Sequence, residues 1–227
     1  MKRFLALFCL ILLSYACATV ADGDRALAKG DYQTAIDEYQ AAYEQRDTNL
    51  DALTKLAQAK TYLAETLTGD EAEQLFQEAA DHARAAVAAD PERVEGHFEL
   101  ARALGRLAQF RGVLQSVSLA GEVQDELERV LELEPENASA LHALALWHLN
   151  VPWAVGGRSG EVRPLFEQAI ELEPDAIVHR VDFAEALLEL DDEAAAKEQL
   201  EVALGLRTET YQDEQNLAKA QEMLNGL

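Results

Sequence analysis

The feature that most constrains this chain is a short pattern of sequence that occurs three times. Each copy contains the end of an amphipathic helix, an acidic residue, a proline and the start of another helix. The copies span residues 83–97, 127–141 and 166–180. A proline cannot continue a helix interior and it restricts the residue before it, so each copy marks a boundary between two helices. The chain is therefore predicted to be a series of helices with regular breaks.

A second pattern identifies the buried face of alternate helices. A small residue is followed four positions later by a bulky one and three positions after that by another small one, which places all three on one helical face. The pattern occurs at Ala35/Tyr39/Ala42, Ala79/Ala83/Ala86, Val123/Leu127/Val130, Val162/Phe166/Ala169 and Ala196/Leu200/Ala203. Between these helices lie others that carry a Leu-Ala or Phe-Ala pair, ending at Ala57, Ala101, Ala145 and Ala184. The two kinds of helix alternate, as they do in a row of hairpins.

The spacing of the two patterns separates junctions from turns. From each small-bulky-small pattern to the alanine of the next helix the offset is always 22 residues: 35 to 57, 79 to 101, 123 to 145 and 162 to 184. From that alanine to the following pattern the offset is 22, 22, 17 and then 12 residues. A junction of fixed length sets the pitch of a stack, whereas a turn inside a hairpin can lengthen at little entropic cost. We therefore predict that insertions lie in the turns inside the hairpins, along one rim.

The last complete period, 12 plus 22 residues, equals the 34 residues of the tetratricopeptide repeat, or TPR. Residues 22–207 resemble that repeat through the Leu-Ala pairs, the segment GDYQTAIDEYQAA and the prolines Pro91, Pro135 and Pro174. The resemblance implies an all-α fold, a right-handed α-solenoid of about five hairpins, with residues 210–224 as a C-terminal capping helix. The segment LALWHLNVPW, with GG before LFEQAIELEPD, is also similar to the helical domain of the regulator of microtubule dynamics family.

The first 21 residues have the composition of a secretory signal. A basic start is followed by a ten-residue apolar run, FLALFCLILL, and then by small residues. We expect residues 22–227 to form the mature domain, exported to the periplasm, with cleavage after Ala18 or Ala21. Alternatively, Cys17 is the lipidated first residue of a lipoprotein, or the segment stays uncut as an anchor. Both cysteines of the chain, Cys9 and Cys17, lie in this segment, so no disulfide framework is expected in the mature domain.

The charge of the chain limits the classes of partner that it is expected to bind. Its formal net charge is −23. This charge argues against nucleic acid and against an anionic membrane surface as partners. Three interpretations remain open: an acidic face that keeps the chain in solution, attraction to a basic partner or to divalent cations, and a salt-rich habitat.

No motif in the sequence predicts catalysis, a cofactor or a metal. There is no HExxH, and His142 and His148 fall about 120° apart around a helix, which is poor geometry for a shared ligand. The glycine-rich segment 147–160 has two interpretations. Its glycine amides, Arg158 and Ser159 would cradle an anion, or it is a tight turn with Trp147 and Trp153 packed in the core. The second is favoured, because the Lys-Ser/Thr ending of a phosphate loop is missing.

The candidate binding residues come from helical spacing and from the turn. Arg102, Arg106, His142, Asn150 and Glu185 are predicted to point to the concave face, where such stacks usually hold peptides, and Trp153 and Arg158 lie in the insertion. The predicted function is a non-enzymatic scaffold of the bacterial cell envelope that binds a protein or peptide. The alternative is a periplasmic accessory component of a substrate-binding-protein-dependent transporter for a small solute, favoured by a closed apolar cavity. A buried cluster of carboxylates or histidines would instead favour an enzyme.

Overall fold

The computed structural model describes residues 19–227, with the side chains of 113–115 excepted. In this part of the chain there are eleven α-helices, one 3-10 turn at Trp153–Val155 and no strand, which confirms the all-α prediction. The helices are α1 Val20–Leu27, α2 Tyr32–Gln45, α3 Leu50–Glu65, α4 Gly69–Ala89, α5 Val94–Arg111, α6 Val113–Leu133, α7 Ala138–Asn150, α8 Ser159–Leu172, α9 Ile177–Glu189, α10 Glu193–Leu204 and α11 Tyr211–Gly226. Residues 1–18, and with them Cys9 and Cys17, lie outside the described residues.

Five hairpins follow one another, and each joins an odd-numbered helix to the next even-numbered one. Every junction between hairpins contains four residues, at 46–49, 90–93, 134–137 and 173–176. At two of them an asparagine caps the next helix: the side chain of Asn49 accepts from the amide of Ala52, and that of Asn137 from Ala140. The constant junction predicted from the sequence is therefore a short linker of fixed length.

The core is a continuous strip that runs through the stack. All residues of the five small-bulky-small patterns are buried, most of them with no exposed surface. Alanines dominate the strip, because a methyl group lets the backbones of crossing helices approach closely. Side chains of neighbouring hairpins share each cluster, so no hairpin has a core of its own.

The insertion of the third hairpin is helical rather than looped. We predicted that insertions lie in the turns inside the hairpins, but the segment 112–121 belongs almost wholly to α6, which begins at Val113 with only Gly112 between it and α5. Gly112 makes this turn with a φ of 76°, and the hydroxyl of Ser116 donates to the carbonyls of Ala108 and Gly112 at 2.7 Å. The insertion is helical because an apolar surface of the neighbouring hairpin is available for its apolar side chains to pack against.

That surface is provided by the neighbouring hairpin. The extended start of α4 and the end of α5 form an apolar cluster around Phe76 and Leu107, against which Leu119 of α6 packs. Phe76 and Phe110 have ring centroids 6.0 Å apart, and Arg111 binds Glu73 at 2.6 Å. The extensions of the second and third hairpins thus lie on one rim and pack on each other.

The C-terminal helix caps the last hairpin, as predicted, and also reaches the first. It packs on α9 and α10 through Leu217, Met223 and Leu224. In addition, the amide of Tyr211 donates to the carbonyl of Ala28 at 3.0 Å. The hydroxyl of Tyr32 donates to the Gln212 amide oxygen at 3.2 Å. The two ends of the stack are therefore in contact, which repeat spacing did not predict.

The start of α1 differs slightly from the predicted domain boundary at residue 22. The helix begins at Val20, and the hydroxyl of Thr19 accepts a hydrogen bond from the amide of Asp22 at 3.2 Å. Within the described residues, no helix combines the length and the apolar character needed to cross a membrane.

Candidate binding surface

The odd-numbered helices form one face of the stack, here called the first-helix face, and polar side chains join them to one another. Arg102 of α5 is the centre of the first group. Its guanidinium binds the buried carboxylate of Glu99, donates to the hydroxyl of Tyr62 on α3 at 2.7 Å, and lies 5.0 Å from that ring's centroid. Burial lowers the pKa of Arg102, but Glu99 and Tyr62 outweigh it, so the net pKa is raised and the guanidinium stays charged.

A second pair lies one turn further along the same helices. The Nε of Arg106 is 2.7 Å from a carboxylate oxygen of Glu65 on α3, and the side chain is 41% exposed. Its guanidinium also donates to the amide oxygen of Gln109 at 3.1 Å. Because the pair is partly solvated, we expect only a small contribution to stability.

The third group joins α7, α9 and α11. The Nε2 of His142 is 3.1 Å from a carboxylate oxygen of Asp182, and the ring lies 4.7 Å from that of His179. Lys219 of α11 donates to Glu185 at 2.8 Å and to Asp182 at 3.4 Å. Burial would raise the pKa of Asp182, but the hydrogen bond from His142 and the nearby positive charges lower it. The carboxylate therefore stays ionised between two donors.

This group contains largely buried histidines and a largely buried carboxylate, which is the kind of cluster that would favour an enzyme. The neighbours of His142 and Asp182 are the rings of Phe166 and His179 and the ammonium of Lys219. Burial lowers the pKa of Lys219, yet Asp182 and Glu185 raise it overall, so the amine stays protonated and is a poor nucleophile. Within residues 19–227 no set of three or more His, Cys, Asp or Glu side chains is arranged to hold a metal. The group fits an ion-pair link between helices.

Most of the residues predicted for the concave face lie together on the first-helix face. Arg102, Arg106, His142 and Glu185 belong to these three groups, and each has an internal partner. Asn150 does not, since its amide donates to the carbonyl of Leu146 in its own helix at 2.8 Å. Their role in binding remains a prediction. Asp182 was missed although it lies three residues before Glu185, a spacing that placed it on the same face; nothing in the spacing indicated Lys219.

The turn between α7 and α8 presents a different kind of surface. Trp147 is buried and its indole donates to the carbonyl of Ala120 at 2.8 Å, whereas Trp153 is 85% exposed. The expectation that both indoles pack in the core is therefore wrong for Trp153. The 3-10 turn that carries it begins just after Pro152, which points the next residue away from the helix end and into solvent.

Hydrogen bonds and close packing hold this turn in one conformation. The carbonyl of Pro152 accepts from the amides of Val155 at 2.9 Å and Gly157 at 3.3 Å. Gly156 has a φ of 113°, and a Cβ on Gly157 would lie 1.7 Å from the carbonyl oxygen of Val151. Both positions thus require glycine. Arg158, which follows, is exposed and has no ion pair among the described residues.

The comparisons with known proteins agree with this architecture. The family model for regulator of microtubule dynamics protein 1-3 matches residues 19–153, more than half of the chain. The chain belongs to this family. The matched region includes the segment LALWHLNVPW that carried the resemblance, and it ends at Trp153.

Among curated members of the regulator of microtubule dynamics family, protein 1 of mouse is 23% identical over 195 residues, which is 78% of this chain and 64% of the relative. Protein 1 of cattle is 26% identical over 115 residues, 48% of this chain and 36% of the relative. The chain thus spans less than two thirds of these relatives' length.

Solved structures of TPR proteins share the fold. A thermophilic TPR protein of Thermus thermophilus superposes with a TM-score of 0.72 at 20% identity, covering 89% of this chain and 97% of that one. PilF of Pseudomonas aeruginosa has a TM-score of 0.57 at 17% identity, covering 91% and 89%. Yeast Tom70 has a TM-score of 0.53 at 18% identity, covering 90% and 38%. The α-solenoid of the TPR type is therefore confirmed.

Proposed function

We propose that this member of the regulator of microtubule dynamics family is a non-enzymatic scaffold that binds a partner protein through the α7–α8 turn, with Trp153 as the anchor. The observation that carries the proposal is an indole 85% exposed on a turn that is closely packed at Gly156 and Gly157. Tryptophan is strongly enriched among the residues that dominate binding energy at protein interfaces. Because the turn is already ordered, binding there costs little conformational entropy.

The first-helix face is less suited to be the primary contact. Arg102, His142 and Asp182 are largely buried in internal pairs, so a ligand would have to break them before making its own. Removing one member of a buried charge pair is costly, because the other is left uncompensated. Arg106, Glu185 and Lys219 of these groups are about half exposed, so they would offer charge to a ligand at a lower cost.

The test is a comparison of Trp153→Ala with Val202→Ala, which truncates another exposed apolar residue on a different helix. Photo-crosslinking from position 154 in cells, followed by mass spectrometry, identifies the partner of the parent chain. We expect Trp153→Ala to weaken binding of that purified partner by 10-fold or more, about 1.4 kcal/mol, and Val202→Ala to leave it within twofold. Equal affinity of the parent chain and Trp153→Ala would refute the proposal.

The proposal extends to the cell envelope, in line with the expected signal at residues 1–21. The hydroxyl of Thr19 caps α1, which favours the processing sites that keep this residue. Cleavage after Ala18 or lipidation at Cys17 keeps this cap, whereas cleavage after Ala21 removes it together with the first two residues of α1. We expect the mature chain to begin at Thr19 or at lipidated Cys17. Intact-mass measurement of the chain from its native host distinguishes these products, and an N-terminus at Asp22 would contradict the expectation.

The transporter accessory is the less favoured function. It requires an enclosed apolar site for a small solute. A cavity of about 350 Å³ between α8 and α10 lies instead at the surface and has exposed glutamates in its lining. A groove of this kind suits part of a protein better than a small solute.

A further inference from the structure

The groove between α8 and α10 is a concave surface with an apolar floor, unlike the α7–α8 turn. Its volume is about 350 Å³, and its apolar floor includes Ile170, Phe183 and Leu187. Phe183 and Leu187 belong to the core, with 3% and 0% exposure. The position of the floor is therefore set by the packing of α9 beneath the two outer helices, and Ile170 and Ala195 are the partly exposed apolar side chains in the lining.

The rim of this groove is acidic. Glu167 and Glu171 of α8 and Glu198 of α10 are exposed and line it. Glu167 and Glu171 are four residues apart on one helical face, where like charges destabilise a helix by a few tenths of a kcal/mol. A cation bound in the groove would relieve that repulsion.

The cation already present in the lining does not neutralise the groove. Arg163 binds Asp192 at 2.5 Å, lies 4.0 Å from Glu167, and stacks over the Phe183 ring with its Cζ 5.9 Å from the centroid. Its charge is thus largely committed to Asp192. Glu171 and Glu198 have no hydrogen bond or ion pair with any described residue.

We propose that the groove between α8 and α10 binds a basic protein segment whose lysine or arginine stem lies on the partly exposed Ile170 and Ala195 while its charge is held by Glu171 and Glu198. Long basic side chains combine an apolar stem with a charged head, which matches an apolar floor with an acidic rim. The net charge of −23 attracts such a segment and repels a second copy of this chain, which excludes the other simple occupant. The site is independent of the Trp153 turn.

The test uses the full chain and a fluorescein-labelled 12-residue peptide of alternating lysine and leucine. We expect Glu171→Gln with Glu198→Gln to weaken peptide binding at least about fivefold at 0.15 M salt, as befits two partly exposed charge pairs. The matched control is Glu214→Gln with Glu222→Gln on α11, which removes the same charge from an exposed helix and is expected to change affinity less than twofold. Amide chemical shifts of residues 167–171 and 195–199 should move on titration.

Three outcomes would overturn the inference. The control pair weakens binding as much as the groove pair, which means diffuse attraction to an acidic chain. A glutamate-leucine peptide binds equally well, which means that charge does not select the ligand. Third, the shifts map to the first-helix face around Asp182 instead. Trp153→Ala is expected to leave peptide binding unchanged, so failure of this site and failure of the proposed anchor are separable.

Discussion

At the scale of single residues, His179 combines burial with ionisable chemistry. It is 2% exposed, its Nδ1 has no hydrogen-bond partner among the described residues, and its ring lies 4.7 Å from that of His142. Burial, together with the neighbouring His142, lowers the pKa of His179 to about 4. The folded state therefore holds this imidazole neutral in a range where the unfolded chain protonates it.

This difference predicts a loss of stability on acidification. An unfolded histidine titrates near pH 6.5. The contribution of neutral His179 to the free energy of unfolding is therefore complete above pH 6.5. As the pH falls from 6.5 to 4, about 3 kcal/mol of this free energy is lost. The pKa of Asp182 is lowered in the folded state, so this residue adds a further loss of stability only below the pKa of an unfolded aspartate.

Urea unfolding at pH 7, 5.5 and 4 measures this effect when the parent chain is compared with His179→Leu. The comparison is needed because protonation of carboxylates reduces charge repulsion in the acidic chain, which changes the stability of both proteins independently of His179. We expect the free-energy difference between the two chains to shift in favour of His179→Leu as the pH falls. Parallel pH profiles would show that His179 does not titrate abnormally.

Gly157 is the residue on which the α7–α8 turn depends most. A Cβ there would lie 1.7 Å from the Val151 carbonyl oxygen, whereas a Cβ at Gly160 would meet nothing within 4 Å. We expect Gly157→Ala to cost about 2 kcal/mol or more, because backbone has to move. Gly160→Ala, in the first turn of α8, should be neutral or stabilise by up to about 1 kcal/mol. Chemical denaturation of both variants measures the contrast, and equal effects would contradict the geometry.

At the scale of elements, the second helices depend on small residues for their spacing. Ala83 of α4 has no exposed surface and belongs to the core cluster that joins α3 to α7, while Ala85 of the same helix faces solvent. We expect Ala83→Leu to destabilise the fold by about 1–3 kcal/mol through overpacking. Ala85→Leu has the same helix propensity change and should alter stability by less than about 0.5 kcal/mol. Thermal unfolding of the pair would refute this account if both variants behaved alike.

Element length also shows why the helical form of the segment 112–121 was not predicted from the sequence. A low-charge run such as 112–121 is compatible with a loop or a helix when read alone. It becomes helix here because Leu119 covers Phe76 and Leu107 of the neighbouring helices, and because one glycine suffices for the turn. A contact between hairpins therefore decides that the segment is helical, and such a contact cannot be predicted from local periodicity.

At the scale of the whole molecule, the contact between its two ends is the least expected feature. Gly30 has a φ of 74°, and a Cβ there would lie 2.6 Å from the ring of Tyr211. Gly30→Ala should therefore loosen the contact and cost about 1–3 kcal/mol through backbone strain. Gly69→Ala is the matched control, because Gly69 has a φ of 70° but nothing within 4 Å of a Cβ there.

Hydrogen exchange gives the direct measurement of this closure. The amide of Tyr211 donates to Ala28, so its protection reports on the contact between the ends. We expect exchange at Tyr211 to quicken in Gly30→Ala while amides of the central helices α5 and α7 keep their protection. Unchanged protection at Tyr211 would mean that the ends are held together by other contacts.

The sequence by itself determined the local and periodic features of this protein: five hairpins, their buried faces, the constant length of the junctions and the capping helix. Each of these depends on residues a few turns apart, or on a spacing that repeats, and both are visible along the chain. Only the tertiary structure decided the helical insertions, the exposure of Trp153, the pairing of His142 with Asp182 and of Lys219 with Glu185, and the contact of α11 with the first hairpin. These depend on the rotation accumulated from one hairpin to the next, which brings together residues far apart in sequence and leaves no periodic signal in it.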